Sequence, residues 1–323
     1  MSAWISPWVS LSECAAAFLD GQRDKTKLKD FSNGYEAVPW RELFVERQES
    51  AILALRDDRP RGLVPGGGQV ACLVGTVDTQ DNGFWYEIRA HGYGWLQESW
   101  CVREGFVPAD WRKVEAVDLP GRMWPYHPAF DPLRQIMFED IYADADGTQY
   151  PVQIVLIDAM GHYTAEVYDF CRVHRHMAYP LQGVRKMSSD YAFSDIDQYP
   201  GTNRKIMGGV KLIRANVTTY KDRLAAKLSI LPSDPGAWLY HGEIDTAWAR
   251  QMVAEYKEEK HGYWECPKGR DNHAWDCSVY QLVAADIKGV KMWPKPESRA
   301  TQGILPRAVN PYTGGKQMFG AGR

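Results

Sequence analysis

The pattern of hydrophobic and polar positions is clearest in residues 70–83, where a nearly continuous apolar run ends in an acid. Such a run is typical of a strand buried on both faces of a sheet. Asp78 closes the run, and Asn82-Gly83 follows with a strong hairpin signal. A buried carboxylate needs a compensating partner. The sequence therefore predicts either a local turn role or a functional role for Asp78.

Two later stretches place acids at comparable positions. Residues 152–157 form a second apolar run, which ends in Asp158 and is followed by a turn of small residues. Residues 272–285 have the pattern of an amphipathic helix with Asp276 in its first turn. Acids from separate elements can converge on a hard divalent cation, which prefers oxygen ligands. The repetition favours a shared metal site over three unrelated turns.

Strand and helix patterns alternate through the rest of this region and predict a mixed α/β layer. The polar residues 185–209 are too many for an ordinary connection, so we predict a functional loop or hairpin there. The predicted strands are 84–91, 95–103, 177–184 and 210–217, and the predicted helices are 131–142, 164–174, 220–228 and 244–257.

Punctuation by Pro and Gly divides the chain into three parts. Residues 1–66 are predicted to be an N-terminal extension and linker, with short helices after a capping-box signal at Ser10 and within residues 40–56. Residues 67–288 are predicted to form the compact domain. Residues 289–323 are basic and rich in Pro and Gly, which predicts a flexible tail able to meet DNA or an acidic partner.

Composition narrows the class of protein. No apolar run reaches the roughly 18 residues that a membrane span needs, and the first residues lack the pattern of a signal peptide. The six cysteines contain no Cys-x-x-Cys pair, so we expect reduced thiols and a cytoplasmic location. A formal charge of −3 neither indicates nor excludes a nucleic-acid partner, because the local distribution of charge decides.

The motifs around the three acids occur in a recognisable order. Residues 74–81 are followed by Gly94 with Glu98-Ser99-Trp100, then by residues 157–159 and 273–277. In this order and spacing they resemble the nuclease half of the terminase large subunit of tailed phages, in the branch typified by the lambda packaging protein. The resemblance covers roughly residues 25–290, and the segments 31–34 and 218–224 are similar to further parts of that branch.

The resemblance implies a ribonuclease-H-like mixed β-sheet flanked by helices. It assigns catalysis and metal binding to Asp78, Asp158 and Asp276, with Asp81 as an additional metal candidate. Two Mg²⁺ or Mn²⁺ ions would be bound, with Asp78 bridging both. No organic cofactor is implied. His273 could orient a water or a phosphate, although a His near a helix start more often serves as a local cap.

The activity implied is cleavage of double-stranded concatemeric viral DNA during genome packaging in the host cell cytoplasm. The implied partners are the terminase ATPase domain, the small terminase subunit and the capsid portal, and no membrane is involved. These 323 residues contain no Gly-x-x-x-x-Gly-Lys-Ser/Thr phosphate loop, so the family's ATPase motor is not expected among them.

Basic residues flank the polar segment 185–209, and we predict that they hold DNA through its phosphates. They are Arg185, Lys186, Arg204, Lys205 and Lys211. Two other functions stay open at this point. One is another enzyme of the ribonuclease-H fold, such as a resolvase or a transposase. The other is a non-catalytic module that docks on DNA or on the portal.

Overall fold

The computed structural model describes residues 2–23, 25–37, 48–112, 126–258 and 261–296. The strands are β1 Val70–Gln80, β2 Gly83–Gly92, β3 Ser99–Pro108, β4 Val152–Asp158, β5 Ala178–Val184, β6 Tyr191–Gln198, β7 Lys205–Asn216, β8 Trp238–Leu239, β9 Tyr256–Lys257 and β10 Trp264–Glu265. The helices are α1 Leu11–Arg23, α2 Lys25–Phe31, α3 Glu49–Leu53, α4 Asp131–Arg134, α5 Thr164–Val173, α6 Val217–Lys227, α7 Thr246–Met252 and α8 His273–Lys288.

Eight strands form one mixed sheet in the order β6-β7-β5-β4-β1-β2-β3-β8. Strand β1 pairs antiparallel with β2 and parallel with β4, and β4 pairs parallel with β5. Helices cover the sheet, so the predicted ribonuclease-H-like fold is confirmed. The carboxyl ends of parallel strands meet at one edge of a sheet. The ends of β1, β4 and β5 therefore lie together, and we call this the acid edge because β1 carries Asp78 and β4 ends in Asp158.

Side-chain alternation decides which face of the sheet each acid occupies. Successive residues of β1 and β4 contribute to two different hydrophobic clusters, one that includes α8 and one that includes α5. Asp78 is in step with Val74, and Asp158 is in step with Leu156, both of which belong to the cluster of α8. The two acids therefore point towards the helix that carries Asp276.

Polar contacts hold α8 against the sheet. Gln281 donates from Nε2 to Thr76 Oγ1 at 3.0 Å and to the Glu87 carbonyl at 2.9 Å. Ser278 donates to Glu87 Oε2 at 2.8 Å. Because these bonds are buried, and loss of one partner would leave a polar group unsatisfied, they fix the register of α8 on β1 and β2. The first turn of the helix is thereby placed above the acid edge.

Several predicted elements differ from the observed ones. The predicted helix 131–142 stops as α4 and passes into a wider turn, Gln135–Glu139, in which the Asp140 N–H donates to the Gln135 carbonyl. The predicted helix 244–257 ends at Met252. By contrast, the hairpin predicted as one alternative for the polar segment 185–209 is present as β6 and β7, although no residue of its edge strand β6 is buried.

The chain before β1 packs against the domain. Ser10 Oγ accepts from the Glu13 N–H at 3.1 Å, as the capping signal predicted. Ile52 of α3 is buried in the cluster of α8, and the Asp57 N–H donates to the Tyr240 carbonyl. Much of the predicted helix 40–56 and most of the predicted tail 289–323 lie outside the described residues. None of the described helices is long and apolar enough to cross a membrane.

Candidate active site

The three predicted acids come to one place. Asp78 and Asp158 are 4% and 8% exposed, and Asp276 stands above them in the first turn of α8. Burial raises the pKa of the Asp158 carboxyl well above its usual range, and the charges of Asp78 and Asp276 raise it further. Burial also raises the pKa of Asp78, and the charge of Asp276 raises it further. Such mutual influence means that the three carboxylates share one electrostatic environment.

Asp78 has a histidine partner. His273 Nδ1 lies 2.7 Å from Asp78 Oδ2, and Gln80 Nε2 donates to the same oxygen at 2.9 Å. The His273 ring stacks on Trp85 with centroids 5.7 Å apart. Burial lowers the pKa of His273, but the hydrogen bond and the charge of Asp78 outweigh it, and the pKa is raised. His273 is therefore a contact of the acid site, and it is the first residue of α8 rather than its N-cap, which is Asn272.

Asp158 is less well compensated. Tyr280 of α8 contacts its Oδ1 at 3.5 Å, and Thr79 donates to its main-chain carbonyl rather than to its carboxylate. Within the part of the chain that the structure describes, no Lys, Arg or His pairs with this carboxylate. A buried anion without a counter-ion is costly. The position therefore has the chemistry of a cation ligand.

Asp276 belongs to a network that the sequence did not reveal. Lys221 Nζ lies 3.2 Å from its Oδ1, and Asn272 Nδ2 donates to its Oδ2 at 2.8 Å. Both donors also contact Glu255: Lys221 reaches its two oxygens at 2.6 and 2.8 Å, and Asn272 reaches Oε1 at 2.7 Å. Lys221 lies in the segment 218–224 that resembles the phage family, whereas no pattern in the sequence marks Glu255 or Asn272.

Asp81 lies at the rim. Its side chain is 73% exposed and accepts from His162 Nδ1 at 3.0 Å. Together with Asp158 it lines a cleft beside the end of β4. An exposed carboxylate in a turn is ordinary, so the geometry gives Asp81 a weaker claim to a metal than the three buried or half-buried acids.

A second group of ligand-type side chains, which does not include the predicted acids, also lies close together. Cys101, Glu104 and His241 are the one trio in the described ranges with ligand atoms all within 4.8 Å of one another. His241 Nδ1 accepts the Glu243 N–H at 3.2 Å, so in the neutral ring the proton sits on Nε2, which contacts Glu104. Arg61 also pairs with Glu104. His241 and Glu104 are thus satisfied by hydrogen bonds, burial raises the pKa of the Cys101 thiol, and a metal at Nε2 would have to displace its proton.

The acid edge fits divalent ions better. Oxygen ligands from Asp78, Asp158 and Asp276 suit Mg²⁺ or Mn²⁺. Their oxygens are not within 4.8 Å of one another as a trio. In a two-ion site the outer carboxylates each bind one ion, and the ions lie about 3.5–4 Å apart. The three carboxylates are therefore spread more widely than a single compact three-residue site.

The five predicted DNA contacts are all exposed but do not lie together. Arg185 and Lys186 directly follow β5 at the acid edge. Lys211 pairs with Asp195 at 3.2 Å on the hairpin. The other two residues, Arg204 and Lys205, stand where β7 begins.

The strand register measures this separation. Asp158 is the partner of Leu181, and Leu181 is the partner of Ile213 on β7. Lys205 precedes Ile213 by eight residues along the strand, which corresponds to roughly 26 Å. Arg204 and Lys205 are therefore at the opposite end of the parallel strands from the acids. Of the five residues, only Arg185 and Lys186 lie at the acid edge.

Comparison with known proteins gives one result. The sequence profile of the family described as terminase large subunit gpA, endonuclease domain, matches residues 1–297, so the chain belongs to this family. No curated protein and no solved structure gives a significant match. Membership implies endonuclease activity with DNA as the substrate.

Proposed function

We propose that this terminase endonuclease domain is a metal-dependent enzyme that cuts double-stranded concatemeric viral DNA during genome packaging. Asp78, Asp158 and Asp276 would hold two Mg²⁺ or Mn²⁺ ions. The observation that carries the proposal is the burial of Asp78 and Asp158 at one edge, where Asp158 has no ion-pair partner among the described residues. Divalent ions supply a water of lowered pKa and stabilise negative charge on the phosphate.

The protein's own groups would divide the remaining work. Asp78, on the interior strand β1, would contact both ions. The described side chains that donate to Asp78, His273 and Gln80, both contact Oδ2, which leaves Oδ1 available to a cation. Asp158 and Asp276 would each hold one ion. His273, with its raised pKa, would keep the Asp78 carboxylate charged and in one orientation.

DNA would lie across the acid edge and be held through its phosphates. Arg185 and Lys186 are placed to contact the duplex near the acids, because both follow β5 at that edge and both are exposed. Arg204, Lys205 and Lys211 would serve only a duplex long enough to follow the hairpin. Phosphate contacts of this kind position DNA without reading its sequence.

Cleavage of supercoiled plasmid in Mg²⁺ or Mn²⁺ tests the proposal. Asp78→Asn, Asp158→Asn and Asp276→Asn should each reduce the rate more than about 100-fold, which is about 2.7 kcal/mol of transition-state stabilisation. Asp195→Asn is the control, because this exposed acid lies on the hairpin, and it should cleave like the wild type.

The same assay separates the alternatives. A folded Asn variant that cleaves normally would remove that acid from the site. A wild-type protein that binds DNA but does not cleave it with either metal would instead be a docking module.

Family membership also supports the wider assignment of partners and place. We infer that the domain works beside the terminase ATPase domain, the small terminase subunit and the capsid portal, in the host cell cytoplasm. Co-elution of the purified domain with each of these proteins would test the contacts one by one.

A further inference from the structure

Four side chains beside the acid edge form a closed network that a three-acid metal site does not require. Lys221 and Asn272 are donors, and Glu255 and Asp276 are acceptors. Each donor contacts both acceptors. Lys221 comes from α6, Glu255 from the connection between α7 and β9, and Asn272 from the residue before α8, so the fold brings together three separate parts of the chain at this point.

The two acceptors of the network differ in how deeply they are buried. The side chains of Glu255 and Lys221 are 3% and 12% exposed, whereas that of Asp276 is 21% exposed. Glu255 is thus the deeper acceptor, and Asp276 is the one nearer to solvent. A buried ammonium must keep a partner, and Glu255 supplies one whether or not Asp276 is available.

The distances show which hydrogen bond is easier to give up. Lys221 Nζ is 2.6 and 2.8 Å from the two Glu255 oxygens and 3.2 Å from Asp276 Oδ1. Asn272 is likewise shared, at 2.7 Å to Glu255 and 2.8 Å to Asp276. Release of Asp276 would therefore break one interaction of each donor and leave that donor hydrogen-bonded to Glu255.

We propose that Lys221 is the internal counter-ion of Asp276 in the metal-free protein, that a divalent cation displaces it, and that Glu255 retains the displaced ammonium. The inference rests on the proposed metal role of Asp276. Glu255 is then a positioning residue and not a metal ligand. The affinity of Asp276 for a metal is set by how strongly Glu255 draws Lys221 away.

The competing assignment makes Glu255 a direct ligand beside Asp276. Both assignments predict weaker metal binding when Glu255 is neutralised, so that variant alone does not separate them. They differ when Lys221 is absent. A retaining residue has nothing left to retain, whereas a ligand still binds the ion.

Mn²⁺ is the probe, because its free concentration can be followed by electron paramagnetic resonance without any cleavage. The relevant binding event is the one abolished by Asp276→Asn. Lys221→Met should tighten it and Glu255→Gln should weaken it, each by about tenfold, an energy of about 1.4 kcal/mol. In the double variant, Glu255→Gln should have no further effect relative to Lys221→Met alone, which is the signature of coupled residues.

Lys257→Met is the matched control. Lys257 is 14% exposed and pairs with Asp222 at 2.9 Å, so it is an equally buried ammonium whose carboxylate partner is outside the acid site. Its removal should leave Mn²⁺ affinity unchanged. The double variant carries the test if Lys221→Met alone does not fold, because it leaves no unpaired charge at Glu255, and its affinity is then compared with that of Glu255→Gln.

The outcomes are separable. Weaker binding in Lys221→Met, or an equal loss from Glu255→Gln with and without Lys221, overturns the displacement proposal. With the single lysine variant unfolded, a double variant that binds no more tightly than Glu255→Gln overturns it too. If wild type and Asp276→Asn bind Mn²⁺ alike, the metal role of Asp276 fails instead, and with it the three-acid metal site on which this inference rests.

Discussion

Two buried carboxylates face α8 from the same sheet, but only one of them has a cationic side chain as its partner within the described residues. Glu87 of β2 is fully buried, and it accepts from Arg89 Nε at 2.7 Å and from Ser278 at 2.8 Å. Arg89 in turn lies 3.7 Å from the centroid of the Trp238 ring. Asp158 of β4 is nearly as buried, yet its carboxylate has only Tyr280 as a side-chain partner among the described residues.

The contrast shows what distinguishes a structural anion from a site anion. Glu87 and Asp158 are buried to a similar degree, and both face the same helix, α8. Burial alone therefore does not identify a functional carboxylate. What differs is the source of the compensating charge. Glu87 has its own cation on its own strand, whereas Asp158 stands at an open edge where an ion from solvent can enter.

The largest effect should come from breaking the compensated pair. Arg89→Met leaves Glu87 buried without its cation and should lower the free energy of unfolding by about 3–5 kcal/mol. Asp158→Asn removes an uncompensated charge and should be neutral or stabilising without metal. Urea unfolding at neutral pH measures both. The double variant Arg89→Met with Glu87→Gln should recover part of the loss, and a loss below about 1 kcal/mol in Arg89→Met would erase the contrast.

Metal should supply at Asp158 what Arg89 supplies at Glu87. With Mn²⁺ at 100 times its dissociation constant, the wild type should gain about 2.7 kcal/mol of stability and melt at a higher temperature. Asp78→Asn and Asp158→Asn should lose most of this response, whereas the exposed control Asp195→Asn should keep it. An equal response in all four proteins would place the ions elsewhere.

A smaller effect should appear in the pH dependence of the metal-free protein. The folded-state pKa of Asp158 is raised above the unfolded value, near 3.8, because burial and the neighbouring acids disfavour its charged form. The folded state therefore binds this proton more tightly, and the wild type loses stability as pH rises above about 4. Asp158→Asn does not have this loss. Its stability relative to wild type should increase from pH 4 towards neutrality, and a pH-independent difference would contradict the assignment.

The sequence predicted the parts of the site that follow from local pattern. Apolar runs ending in acids indicated β1 and β4, and the amphipathic stretch with Asp276 indicated α8. The alternation that buries the side chains of a strand also fixes the face on which its terminal acid lies. For this reason the central elements and the order of the three acids could be predicted directly.

The missing parts depend on long-range contacts. Lys221 is 34 residues from Glu255, and Asn272 is 17 residues from it, so no local period joins them. The pattern also extended the helix ending at Met252 as far as residue 257, which hid the turn that carries Glu255. The hairpin within residues 185–209 could be predicted only as one of two alternatives, a loop or a hairpin, because the exposed edge strand β6 has little hydrophobic alternation to detect.

The smallest expected effect concerns the surface that would contact DNA. It tests whether DNA binds at the acid edge. Arg185 and Lys186 lie at that edge, whereas Arg204 and Lys205 lie where β7 begins, at the opposite end of the parallel strands. Removing one cation that neutralises a phosphate should flatten the salt dependence of DNA affinity by about 0.9 in a double-logarithmic plot. Replacing Arg185 and Lys186 with Ala should therefore lower the slope by up to about 1.8.

Replacing Arg204 and Lys205 with Ala is the matched control, since it also removes one Arg and one Lys, but from the opposite end of the parallel strands. We expect it to leave the slope for a short duplex unchanged, because a duplex held at the acids does not reach that end of β7. Binding is measured without divalent metal, so that cleavage does not interfere, and deletion of residues 297–323 is a third arm. A slope that falls only on deletion of this segment would move DNA contact from the acid edge to the end of the chain. A slope that falls equally for both pairs would mean that the duplex runs along the hairpin.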